Sequence, residues 1–325
     1  MSTAQRPGLG IGLILVAMIA ISVNDLLIKM LSGGYPLHQM VFFRSFVGLL
    51  VSLVIVQFEG GWSILRTTRP RLHALRGLLV VFSNMTFFAA LAVLPLGEAT
   101  ALFFVAPLFI TLLSIPVLGE KVGPWRMGAV LAGFAGVVIM QRPWAGGETL
   151  EVSRAVLLLP VLAAALYAGM QVMTRKLGAT AKASALAVYI QCTFIVVSLA
   201  VYAVAGDGRL AARFDSPAME FLLRAWIWPE GTDRWLFLGL GVNSAIVGYT
   251  LSQAYRLASA ATIAPFEYVG LPVAIFWGWL IFGEWPAPAV WAGIALILGA
   301  GLFVFFRERV RARPVPRARP PHRRY

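Results

Sequence analysis

Apolar residues in this chain come in long continuous runs instead of alternating with polar ones. About 20 residues of helix cross the hydrocarbon core of a bilayer. Ten runs approach or reach that length: 9–31, 37–57, 74–94, 97–118, 123–141, 153–175, 183–205, 233–255, 259–282 and 287–306. Gly and Pro mark most of the joins, as in Gly33-Gly34-Tyr35-Pro36, Leu94-Pro95-Leu96-Gly97, Gly123-Pro124 and Pro286-Ala287-Pro288. In hydrocarbon every backbone polar group must be paired within its own segment or around a closed barrel. Continuous runs lack the alternation of barrel strands. The expected fold class is therefore an all-α integral membrane protein with ten transmembrane helices.

Composition points the same way. The chain is 59% hydrophobic and only 13% charged, against about 25% charged in soluble domains. Its net charge of +13 raises nucleic acid as a partner. The basic residues, however, sit between apolar runs and in an Arg/Pro-rich tail from Arg307, not in a patch interleaved with aromatics. The tail reads as a topology anchor beside anionic lipid. The single cysteine, Cys192, lies in an apolar run and is expected to be a small buried hydrophobe. Ala20-Ile21-Ser22 resembles a signal-peptidase site, but the apolar run resumes to Leu31, so the segment is expected to be an uncleaved first span.

Lys and Arg in short loops set orientation. With the N-terminus in the cytoplasm, Arg66, Arg69, Arg71 and Arg76 fall inside, as do Lys121, Arg126, Arg175, Lys176, Lys182 and Arg256. The short outer loops keep only Arg142 and Arg154, with Lys29 near a span end. Both termini are then cytoplasmic.

A pattern recurs in the two halves. Pro107…Leu118-Gly119-Glu120 is echoed by Pro272…Phe282-Gly283-Glu284, and each is followed by a proline-bearing turn and a Gly-rich span. Asp25…Lys29-Met30-Leu31 is echoed by Gln171…Arg175-Lys176-Leu177. Five spans per half force the second half upside down, and the charges agree: the first Gly-Glu loop is basic and inside, the second has no basic residue and is outside. The expected organisation is a cytoplasmic N-terminus (1–8), one repeat (9–141), an inverted second repeat (153–306) and a cytoplasmic tail (307–325). Inverted repeats are a recurrent architecture of secondary transporters, with the substrate bound near the midplane.

Arg76-Gly77, Ala90-Leu91-Ala92-Val93-Leu94-Pro95-Leu96-Gly97-Glu98-Ala99-Thr100-Ala101-Leu102, Pro107, Gly119-Glu120 and the glycines after it resemble the EamA domain of the drug/metabolite transporter superfamily. Ala264-Pro265-Phe266-Glu267-Tyr268 through Gly283-Glu284 to Arg307-Glu308 resembles its second copy. The resemblance implies two inverted five-helix EamA repeats, a central cavity, and an alternating-access carrier without ATP or other cofactor, in a bacterial inner membrane. The cargo implied is a small organic metabolite: a riboflavin-like vitamin, an amino acid or S-adenosylmethionine, with proton coupling an option. The segment of about 206–232, bearing Trp226 and Trp228, departs from typical members and leaves room for an extra interfacial helix.

Ionisable groups at membrane depth cost about 2.5–3.5 kcal/mol each at a helix centre, so they are functional candidates. Glu267, two residues after Pro265, is a candidate for proton coupling or for a substrate ammonium. Asp25 is a second proton-coupling candidate, although Asp25 and Lys29 are four apart and could instead pair on one helix face. Arg44 could hold a substrate carboxylate or snorkel outward. Gln171 is a neutral hydrogen-bonding candidate, and Asn84 and Asn243 lie on spans that line the cavity of the family it resembles. Phe103 and Tyr268, with Phe104, Phe266 and Trp277, hint at a ring-bearing ligand. Ala129-x-x-x-Gly133, Ala132-x-x-x-Gly136 and Ala295-x-x-x-Gly299 permit close helix approach, within a monomer or across a homodimer.

Other function classes fit less well. The three histidines lie outside span centres, and no H-E-x-x-H, G-x-S-x-G or Walker sequence is present, which argues against an enzyme or a metal site. A channel or another non-transport membrane protein is the remaining alternative; no filter sequence or ring of charge speaks for a channel.

Overall fold

The computed structural model describes residues 7–119, 122–142, 154–177, 183–214, 216–257 and 266–311. The expectations resting on the first six residues, Glu120, Lys121, Lys182, Ala264, Pro265 and the tail from 312 lie outside these. The described residues form helices and turns, with no strand among them.

The helices are α1 (Pro7–Leu31), α2 (Leu37–Glu59), α3 (Pro70–Leu91), α4 (Leu96–Phe103), α5 (Ala106–Leu118) and α6 (Pro124–Gln141), then α7 (Arg154–Leu177), α8 (Ala183–Ala205), α9 (Pro217–Leu223), α10 (Asp233–Leu257), α11 (Gly270–Phe282) and α12 (Pro288–Arg311). Among the described residues, six stretches are long and apolar enough to cross a membrane: Gly8–Leu31, Leu37–Glu59, Pro70–Leu91, Leu96–Leu118, Ala155–Met173 and Ser184–Ala205. Shorter apolar helices follow at Met127–Gln141, Gly270–Phe282 and Pro288–Phe303. The chain is a multi-pass membrane protein. Leu131, Val196 and Val204 stand exposed on helix flanks, as side chains do where lipid is the solvent. Cys192 is exposed as well, correcting the buried reading. A thiol is only weakly polar, so facing lipid costs it little.

The doubled Gly-Glu motif has a local physical cause. Gly119 and Gly283 end α5 and α11 in the left-handed conformation, at φ 71° and 67°. That backbone region suits glycine, which has no Cβ to clash. The Gly283 amide donates to Trp279 O (3.1 Å) and the Glu284 amide to Gly278 O (3.0 Å), which closes the helix end.

Helices early in the chain pair with helices late in it: α1 with α10, α2 with α8, α3 with α7, α4 with α11 and α6 with α12. Polar side chains tie several of these pairs. Asn243 Nδ2 donates to Ala20 O (2.7 Å) and Ser83 Oγ to Ala163 O (2.8 Å). The 206–232 segment does contain an added helix, the seven-residue α9, folded against the start of α2. His38 Nδ1 donates to Leu222 O (3.1 Å), Gln39 Nε2 donates to Ile227 O (2.6 Å), and the His38 ring stacks on Trp226 at 5.8 Å. Tyr35, between α1 and α2, donates to Asp233 Oδ2 (2.8 Å). Burial and the neighbouring carboxylates push its phenol up, so it remains a donor.

The small-residue stripe of α6 is used within the protomer. Gly133 lies under Leu108, and Gly136 meets Gly293 of α12, where an added Cβ would stand 2.9 Å from the Gly293 carbonyl oxygen. Gly299 has open space around it. Gly136→Val should lower stability by about 1–3 kcal/mol through overpacking, whereas Gly299→Ala should be neutral or raise it by up to ~1 kcal/mol. Thermal unfolding of the purified protein in detergent compares the two.

Candidate functional site

Two helices are interrupted, and their interruptions face each other. The run 96–118 breaks between α4 and α5 at Phe104 and Val105. Pro107 lies just beyond and has no amide to continue the ladder. The other break is a turn at Tyr268 and Val269, which separates a helical Phe266-Glu267 from α11, with Pro272 just beyond. The Phe104 and Tyr268 rings meet across the two breaks at 5.5 Å. Tyr268 also seats its hydroxyl against Gly301 of α12. Broken helices at membrane depth are tolerated where the freed backbone is buried in protein or lines a cavity.

Glu267 stands beside this junction, half-buried and within electrostatic reach of the Tyr167 and Tyr268 phenols. Gln171 Nε2 donates to the Tyr167 hydroxyl (2.7 Å), one turn away on α7. The Tyr167 ring touches Phe103 at 5.4 Å, and Phe103 touches Phe87 at 5.1 Å. Phe87 and its neighbour Phe88 meet edge-on at 5.4 Å. Aromatic contacts therefore run from Tyr167, within electrostatic reach of Glu267, to a second polar cluster on α1, α2 and α3.

That second cluster is centred on Arg44, only 8% exposed. Its guanidinium lies 5.8 Å from the Phe88 ring centre and 5.3 Å from that of Phe194, and Nη2 donates to Asn84 Oδ1 (3.2 Å). Of the two alternatives for Arg44, outward snorkelling is not what the structure shows: the side chain is buried, and flanking rings and a side-chain acceptor offset part of the cost of burying the cation. Asp25 accepts from Asn24 Nδ2 (3.2 Å) and lies within electrostatic reach of Arg44. Asn84 and Phe194 also line a small cleft between α2, α3 and α8, together with His38, Met85 and Ser198.

The expected candidates fall into three places. Glu267, Tyr268, Gln171 and Phe103 gather at the helix breaks. Asp25, Arg44 and Asn84 gather at the second cluster. Asn243 stands apart from both in its contacts, tying α10 to α1. The local Asp25–Lys29 pair is corrected too. Lys29 Nζ instead binds Glu284 Oε1 (2.6 Å) and Leu94 O (2.6 Å), while Glu284 Oε2 accepts the Leu96 amide (2.9 Å). Glu284 outcompetes Asp25 because it neutralises the ammonium and serves a freed backbone amide at once. Tyr167, Phe87, Phe88 and Phe194 escaped the sequence reading. Single aromatics in apolar runs carry no signal until the helices are assembled.

Comparison with known proteins places this geometry in a family. The profile of the EamA-like transporter family matches residues 8–142. A riboflavin transporter of Rhizobium johnstonii is 32% identical over 280 residues, spanning 86% of this chain and 84% of that protein. The chain belongs to the EamA-like transporter family. This EamA protein is also 28% identical to an S-adenosylmethionine uptake transporter of Rickettsia prowazekii, over 92% of this chain and 93% of that one. A solved crystal structure superposes with a TM-score of 0.59 at 19% identity, covering 91% of this chain and 98% of its own, and shares the fold.

Arg44 and Asp25 of this EamA protein are expected to be energetically coupled. Asp25→Asn and Arg44→Met should each destabilise the fold, and the double variant should lose less than the two losses combined, with a coupling of about 0.5–3 kcal/mol. A double-mutant cycle on unfolding in detergent measures it.

Proposed function

We propose that this protein is an alternating-access carrier for a small, ring-bearing organic metabolite, with a riboflavin-like compound the leading cargo. The observation that carries the reading is the facing pair of helix breaks at Phe104 and Tyr268, with Glu267 beside them. Discontinuous helices meeting where two repeats adjoin are where secondary transporters bind cargo. The pairing of helices supports two inverted five-helix repeats, 9–141 and 153–306. When the spans are numbered one to ten, the pairs 1–8, 2–7, 3–6, 4–9 and 5–10 map onto themselves when the halves are exchanged. The reading places ten spans in a bacterial inner membrane with both termini cytoplasmic.

The rings of Phe87, Phe103, Phe104, Tyr167 and Tyr268 offer faces on which a planar heterocycle stacks. The names of the two relatives favour such cargo, since riboflavin and S-adenosylmethionine each carry a fused nitrogen ring system. Arg44, Asn84 and Gln171 supply hydrogen bonds that orient it, and Asn243 holds α10 in register with α1. Glu267, and secondarily Asp25, accepts the coupling proton. A carboxylate that is neutral in one half of the cycle and charged in the other couples proton movement to cargo.

Radiolabelled riboflavin should show saturable counter-flow into proteoliposomes loaded with the unlabelled compound. An inward-acidic or outward-acidic gradient should change the net flux, and Glu267→Gln should remove the gradient's effect. Conductance without saturation would turn the reading toward a channel. Exchange of S-adenosylmethionine or an amino acid alone would keep the carrier and change its cargo.

A further inference from the structure

We infer that Lys29 and Glu284 are positioning residues for the transport cycle: they form a latch that closes the outer side of the cargo path and breaks when that side opens. The inference rests on the carrier reading above. Four observations carry it.

First, the pair joins residues far apart in the chain. Lys29 ends α1 in the first repeat, and Glu284 follows α11 in the second. Second, it is more than an ion pair. Glu284 uses one carboxylate oxygen on Lys29 and the other on the Leu96 amide at the start of α4, while Lys29 also holds Leu94 O. These two residues thus hold both sides of the Leu94-Pro95-Leu96 joint. Lys29 in addition lies 5.0 Å from the Phe282 ring centre. Third, the distribution of Lys and Arg expects all three chain ends involved, those near Leu31, Leu94 and Phe282, on one side of the membrane, the outer. Their convergence in three dimensions was not an input to that expectation. Fourth, the latch sits directly above the helix breaks in chain order. It holds the N-terminus of α4, whose far end, Phe103, adjoins the break at Phe104, and the C-terminus of α11, which starts just after the turn at Tyr268 and Val269.

The chemistry suits a reversible closure. The side chains of Lys29 and Glu284 are 10% and 24% exposed, enough for water to reach them when the helices part. A charge pair at a water-accessible edge trades its partner for hydration at low cost, unlike one in a dry core. Gly97 lies against Ile275 and Gly278 is near Leu96, so α4 and α11 meet closely just below the pair. The latch therefore clasps a seam between the halves that side chains leave thin.

The test uses the full chain in a Cys192→Ser background, since Cys192 is exposed. Phe104→Cys reports access from outside, by its rate of labelling with a membrane-impermeant thiol reagent in right-side-out vesicles. Adding Glu284→Gln should raise that rate about tenfold, as a shift of population toward the outward-open state requires. Separately, Lys29→Cys with Glu284→Cys, joined by a short bifunctional thiol reagent, should abolish riboflavin counter-flow, and reduction of a cleavable linker should restore it. Unchanged labelling together with full exchange by the cross-linked protein would overturn the latch. A protein that loses its shape fails the reduction step, because exchange does not return, and the labelling arm then decides. Absence of exchange of riboflavin, S-adenosylmethionine and amino acids by the Cys192→Ser protein that keeps Lys29 and Glu284, with labelling still raised by Glu284→Gln, would count against the carrier reading and leave the latch standing.

Discussion

A carbonyl or amide that loses its helical partner in an apolar medium must find another, and that constraint governs how this chain is held together. Pro95 interrupts the path from α3 to α4 and frees the Leu94 carbonyl and the Leu96 amide. Lys29 and Glu284 take them up. One proline thereby fixes the relative position of α1, α3, α4 and the α11–α12 turn. Hydrophobic burial cannot do this alone, because lipid tails are as apolar as the helices they surround. What remains is close packing and ties such as Asn243 to Ala20 and Ser83 to Ala163, each worth about 0.6 kcal/mol on average.

The two polar clusters solve the same problem at greater depth. Arg44 is tolerated in the interior because two rings and an amide oxygen surround its guanidinium, with Asp25 within electrostatic reach. Glu267 lies beside phenols instead of bare hydrocarbon. Between the clusters runs a series of ring contacts through Tyr167, Phe103, Phe87 and Phe88. The arrangement puts charged side chains at two ends and aromatic rings in the middle, which is what the proposed ring-bearing cargo would require.

Much of this was legible in the sequence. Continuous apolar runs gave the helices, and Pro and Gly gave their ends to within a few residues; Leu31, Leu118 and Gln141 end α1, α5 and α6 where the runs stop. Asp25, Arg44, Asn84 and Glu267 stood out because charge and amides are costly in lipid. The partners did not. Lys29 has Asp25 four residues away as an obvious mate, and nothing in a linear pattern weighs that against a carboxylate 255 positions distant. The break at Phe104 was hidden too: Pro107 signals a weak ladder, but a proline near a helix start is also ordinary. Cys192 was misjudged because burial in a soluble protein and exposure to lipid look alike in composition.

The glycine contact between α6 and α12 has a mechanical meaning. Helices with long interleaved side chains must lift those side chains out of their grooves before they shift. At Gly136 and Gly293 backbone comes up to backbone, and the Met140, Leu296 and Ile297 side chains close around the contact. Such a contact resists separation, since many atoms meet at close packing distance. The fifth and tenth apolar segments therefore meet as a clamp, and a side chain added at Gly136 or Gly293 would pry its jaws apart.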